Sequence, residues 1–198
     1  MRRWLSILLL LCWCVTAVAG NTDYADRIAD LISPAKLATL GPRGGNPRIQ
    51  KAVAQLEAAR NDGQKIEKVA AKAVAIAGYT NASAAKLTAS ALVRNHDIAS
   101  KLGCLDEAGL AEMRRGKSPT VKKGPYKGQE LSVDHIIPRA VVPELDCVIA
   151  NLELLPLRLN ESKNDKIGTR QQSLAAKLHE ARLLSAEGLR KVQSARSK

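Results

Sequence analysis

Apolar positions recur at helical spacing through residues 22–116, and this pattern predicts a helical body. Tyr24, Ile28, Leu31 and Ile32 share one face, and Pro34 suits the first turn of a short helix that Gly41 ends. After the loop Gly41-Pro42-Arg43-Gly44-Gly45-Asn46-Pro47, Asn46 is expected to cap a helix that carries Ile49, Ala52, Val53, Leu56 and Ala59 inward. Asp62-Gly63 stops it. Residues 64–77 carry Ile66, Val69, Ala70, Ala73 and Val74 at the same period. A helix over about 82–102 should end at Gly103, and a shorter one from Asp106 at Gly116. The alanine on these faces lets helices approach closely, as in a small bundle.

The period then breaks. Residues 117–128 contain Pro119, Gly124, Pro125 and Gly128 among Lys117, Lys122, Lys123 and Lys127. They read as a solvated linker or as an arm lying along phosphates, and the arm is favoured because it leads into the stretch that follows. There Leu131 and Val133 alternate with Ser132 and Asp134, a strand with one buried face. Residues 151–156 read as a second strand, and a helix from about Leu157 puts Asn160, Lys163 and Asn164 on one face. Thr169 and Ser185 can cap two closing helices, with Leu174, Leu178 and Ala181, then Leu189 and Val192, turned inward.

Asp134-His135 followed by Pro138, then Asn151 opening NLELLP, then Asn160 and Lys163 in LNESKNDK, resembles the HNH endonucleases of the His-Me finger group. Asn160 stands where histidine is commoner, so the pattern is an HNN variant. The resemblance spans roughly residues 124–168. It implies a small ββα-metal motif towards the C-terminus of a mainly α chain, with residues 20–116 as the helical region, 117–168 as the motif with its basic lead-in, and 169–198 as helices packed on the rest.

The same resemblance implies roles. His135 would be the general base for water, suited by an unperturbed pKa of about 6.5. Asp134 and Asn160 would hold one divalent metal ion, Mg²⁺ with Mn²⁺ as the alternative, because their oxygens are hard ligands. Asn151 would orient His135 by hydrogen bonding near it. Lys163, Lys166 and Arg139 would contact phosphate. A regular strand would send Asp134 and His135 to opposite sides, so the backbone must leave regular pleating close to them. His96 and His179 have no acid or cysteine at metal spacing and read as structural or surface residues.

The first 19 residues have the order of a secretory signal peptide: Arg2 and Arg3, an apolar run over 5–15, then Ala17-Val18-Ala19. The apolar run falls short of the ~20 residues that a membrane span needs. The expectation is an exported protein, periplasmic or secreted, with no membrane anchor after cleavage. Trp4 and Trp13 would leave with that segment, and the chain has no Phe. Three tyrosines then remain, too few to make base stacking a main binding mode.

Removing Arg2 and Arg3 leaves 29 basic residues against 19 acidic, a net charge of +10. Such a charge attracts polyanions, whether nucleic acid or an anionic membrane surface, and serves solubility as well; with the motif beside it the expected partner is nucleic acid, DNA ahead of RNA. Cys104 and Cys147 are the two cysteines left, too few for a structural zinc site, and in an oxidising compartment they are expected to form a disulfide closing about 43 residues. The reading is therefore a metal-dependent endonuclease with little sequence specificity, since no helix-turn-helix or zinc finger accompanies the motif. The alternative is a basic helical module that grips nucleic acid or an anionic surface without cutting.

Overall fold

A computed structural model describes residues 23–163 and 166–195; the expected signal segment lies outside them. The described chain is mostly helical, with one two-stranded antiparallel sheet. Its helices are α1 (Tyr24–Ile32), α2 (Pro34–Leu37), α3 (Gly45–Asn61), α4 (Ile66–Ile76), α5 (Ala82–Lys101), α6 (Glu107–Arg114), α7 (Leu157–Lys163), α8 (Thr169–Glu180) and α9 (Ala186–Ser194). The strands are β1 (Leu131–His135) and β2 (Leu152–Pro156). Among the described residues, no helix is long and apolar enough to cross a membrane.

The stops fall where the backbone needs them. Gly63, Gly103 and Gly116 follow α3, α5 and α6 with φ of 76°, 69° and 76°, a region that costs glycine nothing. The start of α3 differs from expectation. Gly44, with φ −63° and ψ −19°, already has helical geometry, and Asn46 lies inside the helix rather than capping it. The reason is a close approach. A Cβ at Gly45 would stand 3.0 Å from Leu152 Cδ1 and 3.3 Å from Cys147 Cα, so the helix begins at a point where glycine packs closely against the second half of the motif.

Helices α1, α3, α4 and α5 enclose a first core of Ile28, Ile32, Ile49, Leu56, Ala73 and Leu92, which Ile149 and Leu152 complete. Buried Ala52, Ala59, Ala70 and Ala91 let these helices approach closely. A second core, Val53, Ala99, Met113 and Val121, takes in Leu131 and Leu154 from the sheet. The helical region and the motif thus bury their apolar faces in shared cores. A third core joins Ile137, Leu145 and Ala150 to Ala175, Leu178 and Val192 of the closing helices.

Side-chain amides complete the hydrogen bonding along the sheet. Buried Asn95 of α5 donates from Nδ2 to Leu152 O at 3.0 Å and accepts from Leu154 N at 2.6 Å, as a third strand would. Gln50 of α3 donates to Leu131 O at 3.1 Å. Polar backbone that would otherwise be stranded in the core is satisfied by the helices beneath it.

The basic lead-in is neither a free linker nor an extended arm. Val121 is fully buried, its N–H donates to Gln129 O at 2.8 Å, and Gly128 N returns to Val121 O at 2.9 Å. Lys122 N and Lys123 N both donate to Leu102 O just beyond α5, so the loop folds back while its lysine side chains stay exposed.

His96 is structural, as expected, and has an acid partner that sequence spacing could not reveal. Its Nε2 lies 2.8 Å from Glu57 Oε2, and Arg60 holds the same carboxylate at 2.7 Å through each of two nitrogens. Burial pushes the Glu57 carboxyl up, but the hydrogen bonds from Arg60 and His96 outweigh it and hold it below the usual range.

The expected disulfide does not form; Cys104 and Cys147 are both free. Cys104 is sealed in the second core with Sγ 3.6 Å from Thr120 O, whereas Cys147 packs on the first core with Sγ 3.8 Å from Gly41 O. Burial, helped by Asp106, pushes the Cys104 thiol up to about 11. Native protein treated with iodoacetamide and mapped by peptide mass should carry label on Cys147 well before Cys104. A 104–147 cross-linked peptide from unreduced protein would overturn this arrangement.

Candidate active site

The two strands pair with Asp134 opposite Glu153 and His135 opposite Leu152. Beyond His135 the chain leaves the sheet at once. Ile136 N donates to Asn151 O at 2.8 Å, and the Asn151 side chain then clamps the next residue, accepting from Ile137 N at 2.8 Å and donating to Ile137 O at 3.0 Å. This turn at the strand end replaces the expected irregular strand, and it lets Asp134 and His135 line one hollow of about 220 Å³ together with Asn160.

Asn151 thus differs from expectation in what it touches. It is fully buried and holds the turn after His135; the imidazole is not its partner. The strand register is the reason, because it sets Leu152 opposite His135 and leaves Asn151 reaching past the strand end. Asn151 is a positioning residue for the backbone.

The imidazole is held by Asp146. His135 Nε2 lies 2.9 Å from the Asp146 backbone oxygen and 2.9 Å from its Oδ1. The backbone oxygen takes the aligned hydrogen bond; Oδ1 stands off the N–H axis as a nearby negative charge. Both are acceptors, so Nε2 must carry the proton, and in the neutral ring Nδ1 presents its lone pair. Among the described residues nothing occupies Nδ1. The other Asp146 oxygen accepts from Arg43 N at 2.8 Å, which ties the loop before α3 to the same residue.

Asn160 is fixed by a chain of hydroxyl and amide bonds. Ser132 Oγ donates to Leu155 O at 2.9 Å, so its own proton is used and it must accept from Asn160 Nδ2 at 3.0 Å. The amide orientation follows, and among the described residues it leaves the Asn160 side-chain oxygen without a donor. On Asp134, Lys163 Nζ takes Oδ2 at 2.5 Å and also donates to His135 O at 2.5 Å. Lys163, expected at phosphate, is here paired with the carboxylate of Asp134. The last turn of α7 lies back across the end of β1 and turns the ammonium onto the site carboxylate. Asp134 Oδ1 keeps no protein partner among the described residues.

Arg139 is exposed at the rim and lines the hollow, with no described ion pair. Lys166 is exposed as well, but it does not line the hollow, and Asn164 lies outside the described residues. Glu153 faces Asp134 across the sheet, yet Arg170 grips both its oxygens, at 3.0 and 2.5 Å, and Arg94 Nε adds a third contact at 3.3 Å. It is therefore a neutralised structural carboxylate.

Sequence reasoning missed two residues, Asp146 and Arg43. Asp146 lies amid Leu145, Cys147 and Val148 with no spacing signal of its own, and Arg43 comes from a loop 103 residues earlier. No protein-family model matches the chain, and no curated protein or solved structure does so. What the hollow can do is therefore argued from its own groups: a base with a free lone pair, two hard oxygen donors and a cationic rim.

Proposed function

We propose that this protein is a metal-dependent endonuclease of the HNH type that hydrolyses phosphodiester bonds, in DNA with little sequence preference. The observation that carries this reading is the pinned imidazole beside two oxygen donors in one hollow. With Nε2 held by Asp146, Nδ1 of His135 accepts the proton of a water that attacks phosphorus. The ring cannot turn its lone pair away without breaking that bond.

The donor set suits a hard cation. The oxygens of Asp134 and Asn160 that have no partner among the described residues fit Mg²⁺ or Mn²⁺, ions that take one or two protein oxygens and complete their shell with water and phosphate. Among the described residues no three of His, Cys, Asp or Glu converge as a ready cage. When bound, such an ion supplies Lewis-acid charge at the phosphate and at the leaving 3′ oxygen. Lys163 meanwhile holds Asp134 in place and keeps its charge balanced, so the carboxylate is already aimed. Arg139 and the exposed lysines of the 117–128 loop attract the polyanion. Export, resting on the pattern of residues 1–19, would place this activity outside the cytoplasm.

The test is plasmid nicking. Purified protein should convert supercoiled DNA to open-circular and linear forms with Mg²⁺ or Mn²⁺ and stop on adding EDTA. Tight binding with no cutting across Mg²⁺, Mn²⁺, Zn²⁺ and Ni²⁺ would give the chain to the non-catalytic binding reading instead.

A further inference from the structure

Arg43 stands in the hollow beside Asp134, His135 and Asn160, although it belongs to the helical region and to no part of the motif. Its backbone has φ +59°, which side-chain-bearing residues rarely adopt and glycine adopts freely. An arginine in that conformation costs stability that glycine would not. The local structure holds it firmly, because Arg43 N donates to Asp146 Oδ2 at 2.8 Å and Asp146 also pins His135. The side chain is exposed, and no described residue pairs with its guanidinium. By contrast Arg60, Arg115 and Arg170 each have a glutamate.

We propose that Arg43 is a phosphate-binding residue, donated by the helical region, that grips a backbone phosphate of the strand lying in the hollow. This rests on the reading of the site as a nuclease and adds a subsite to it. A guanidinium suits the task because its planar fork can bond two phosphoryl oxygens at once. Arg43 and Arg139 both line the hollow, so a phosphate entering between them meets cations from two separate segments of the chain. Asp146 sets the backbone of one of these arginines and the imidazole of the base together. The helical region thereby becomes part of the active site as well as its support.

The experiment measures binding, with cleavage switched off. In a His135→Ala background with EDTA present, the affinity for a fluorescein-labelled DNA duplex is read by anisotropy over a salt series. Arg43→Gly should make the slope of log affinity against log salt shallower by about one unit. It should also leave the melting temperature unchanged or raised, because glycine relieves the positive φ. Arg43→Lys should keep the slope, since one charge replaces another. Arg182 has the same φ of +59° but does not line the hollow, so Arg182→Gly is the matched control and should keep the slope. An unchanged slope in Arg43→Gly would overturn the proposal. So would a lower melting temperature for it, or equal loss of slope in Arg182→Gly, which would point to bulk charge alone. If the His135→Ala parent binds no DNA at all, the nuclease reading fails along with this subsite; normal binding with an unaffected Arg43 variant removes the subsite only.

Discussion

The His135→Ala protein is expected to bind duplex DNA nearly as the wild type does while cutting it about 10²–10⁴-fold more slowly, the usual loss when general-base help is removed. In free energy this is roughly 3–5 kcal/mol of barrier. Affinity comes mainly from Lys and Arg contacts to phosphate, and His135 is not among them. His135 is 9 % exposed, so loss of its imidazole also leaves a small void; His135→Asn, smaller and polar, serves as a second variant with a different stability cost. Asp146→Ala provides a graded comparison. It keeps the backbone oxygen that takes the aligned bond from Nε2 and removes the nearby carboxylate, the acceptor of Arg43 N included, so its rate should fall less than that of His135→Ala. Cleavage at the wild-type rate by both His135 variants would remove His135 as the base, and most of the functional reading with it.

A second large effect is expected at a residue that touches no substrate. Asn151→Ala should destabilise the fold by roughly 2–5 kcal/mol, because it strands both the N–H and the C=O of Ile137 in a buried turn. For a chain of this size that corresponds to a melting temperature lower by roughly 5–15 °C. Cleavage should fall as well, since the turn that follows His135 loses its clamp. Thermal melting by circular dichroism decides it. A shift under about 2 °C would mean that Ile137 finds other partners, for instance water, and that the turn does not depend on Asn151.

Much of the architecture was legible in the pattern of residues, for reasons that are local. Helical period sets the inward faces of α1 and α3 to α5, and glycine supplies the positive φ at Gly63, Gly103 and Gly116, so those faces and those three stops need no tertiary information. Ser185 caps α9 with a 2.9 Å bond from Gly188 N as its residue type foretells. Alternation marked β1, and the Asn-Leu-Glu-Leu-Leu-Pro run marked β2 and the start of α7. The residue types at 134, 135 and 160 also named the candidate chemistry, because a base and hard oxygen donors are properties of side chains.

What each of those side chains touches was decided only by packing. Asp146 reaches His135, Arg43 reaches the hollow and Asn95 reaches β2 because α3 and α5 share cores with the sheet, and no spacing along the chain encodes those meetings. The same packing turned Lys163 from solvent onto Asp134 and separated Cys104 from Cys147 by burying each against a different core. Residue type and local period therefore determined the elements and the available chemistry. Which groups became partners depended on apolar surfaces far apart in sequence closing on one another, since contact distance, unlike helical period, is a property of the whole packed chain.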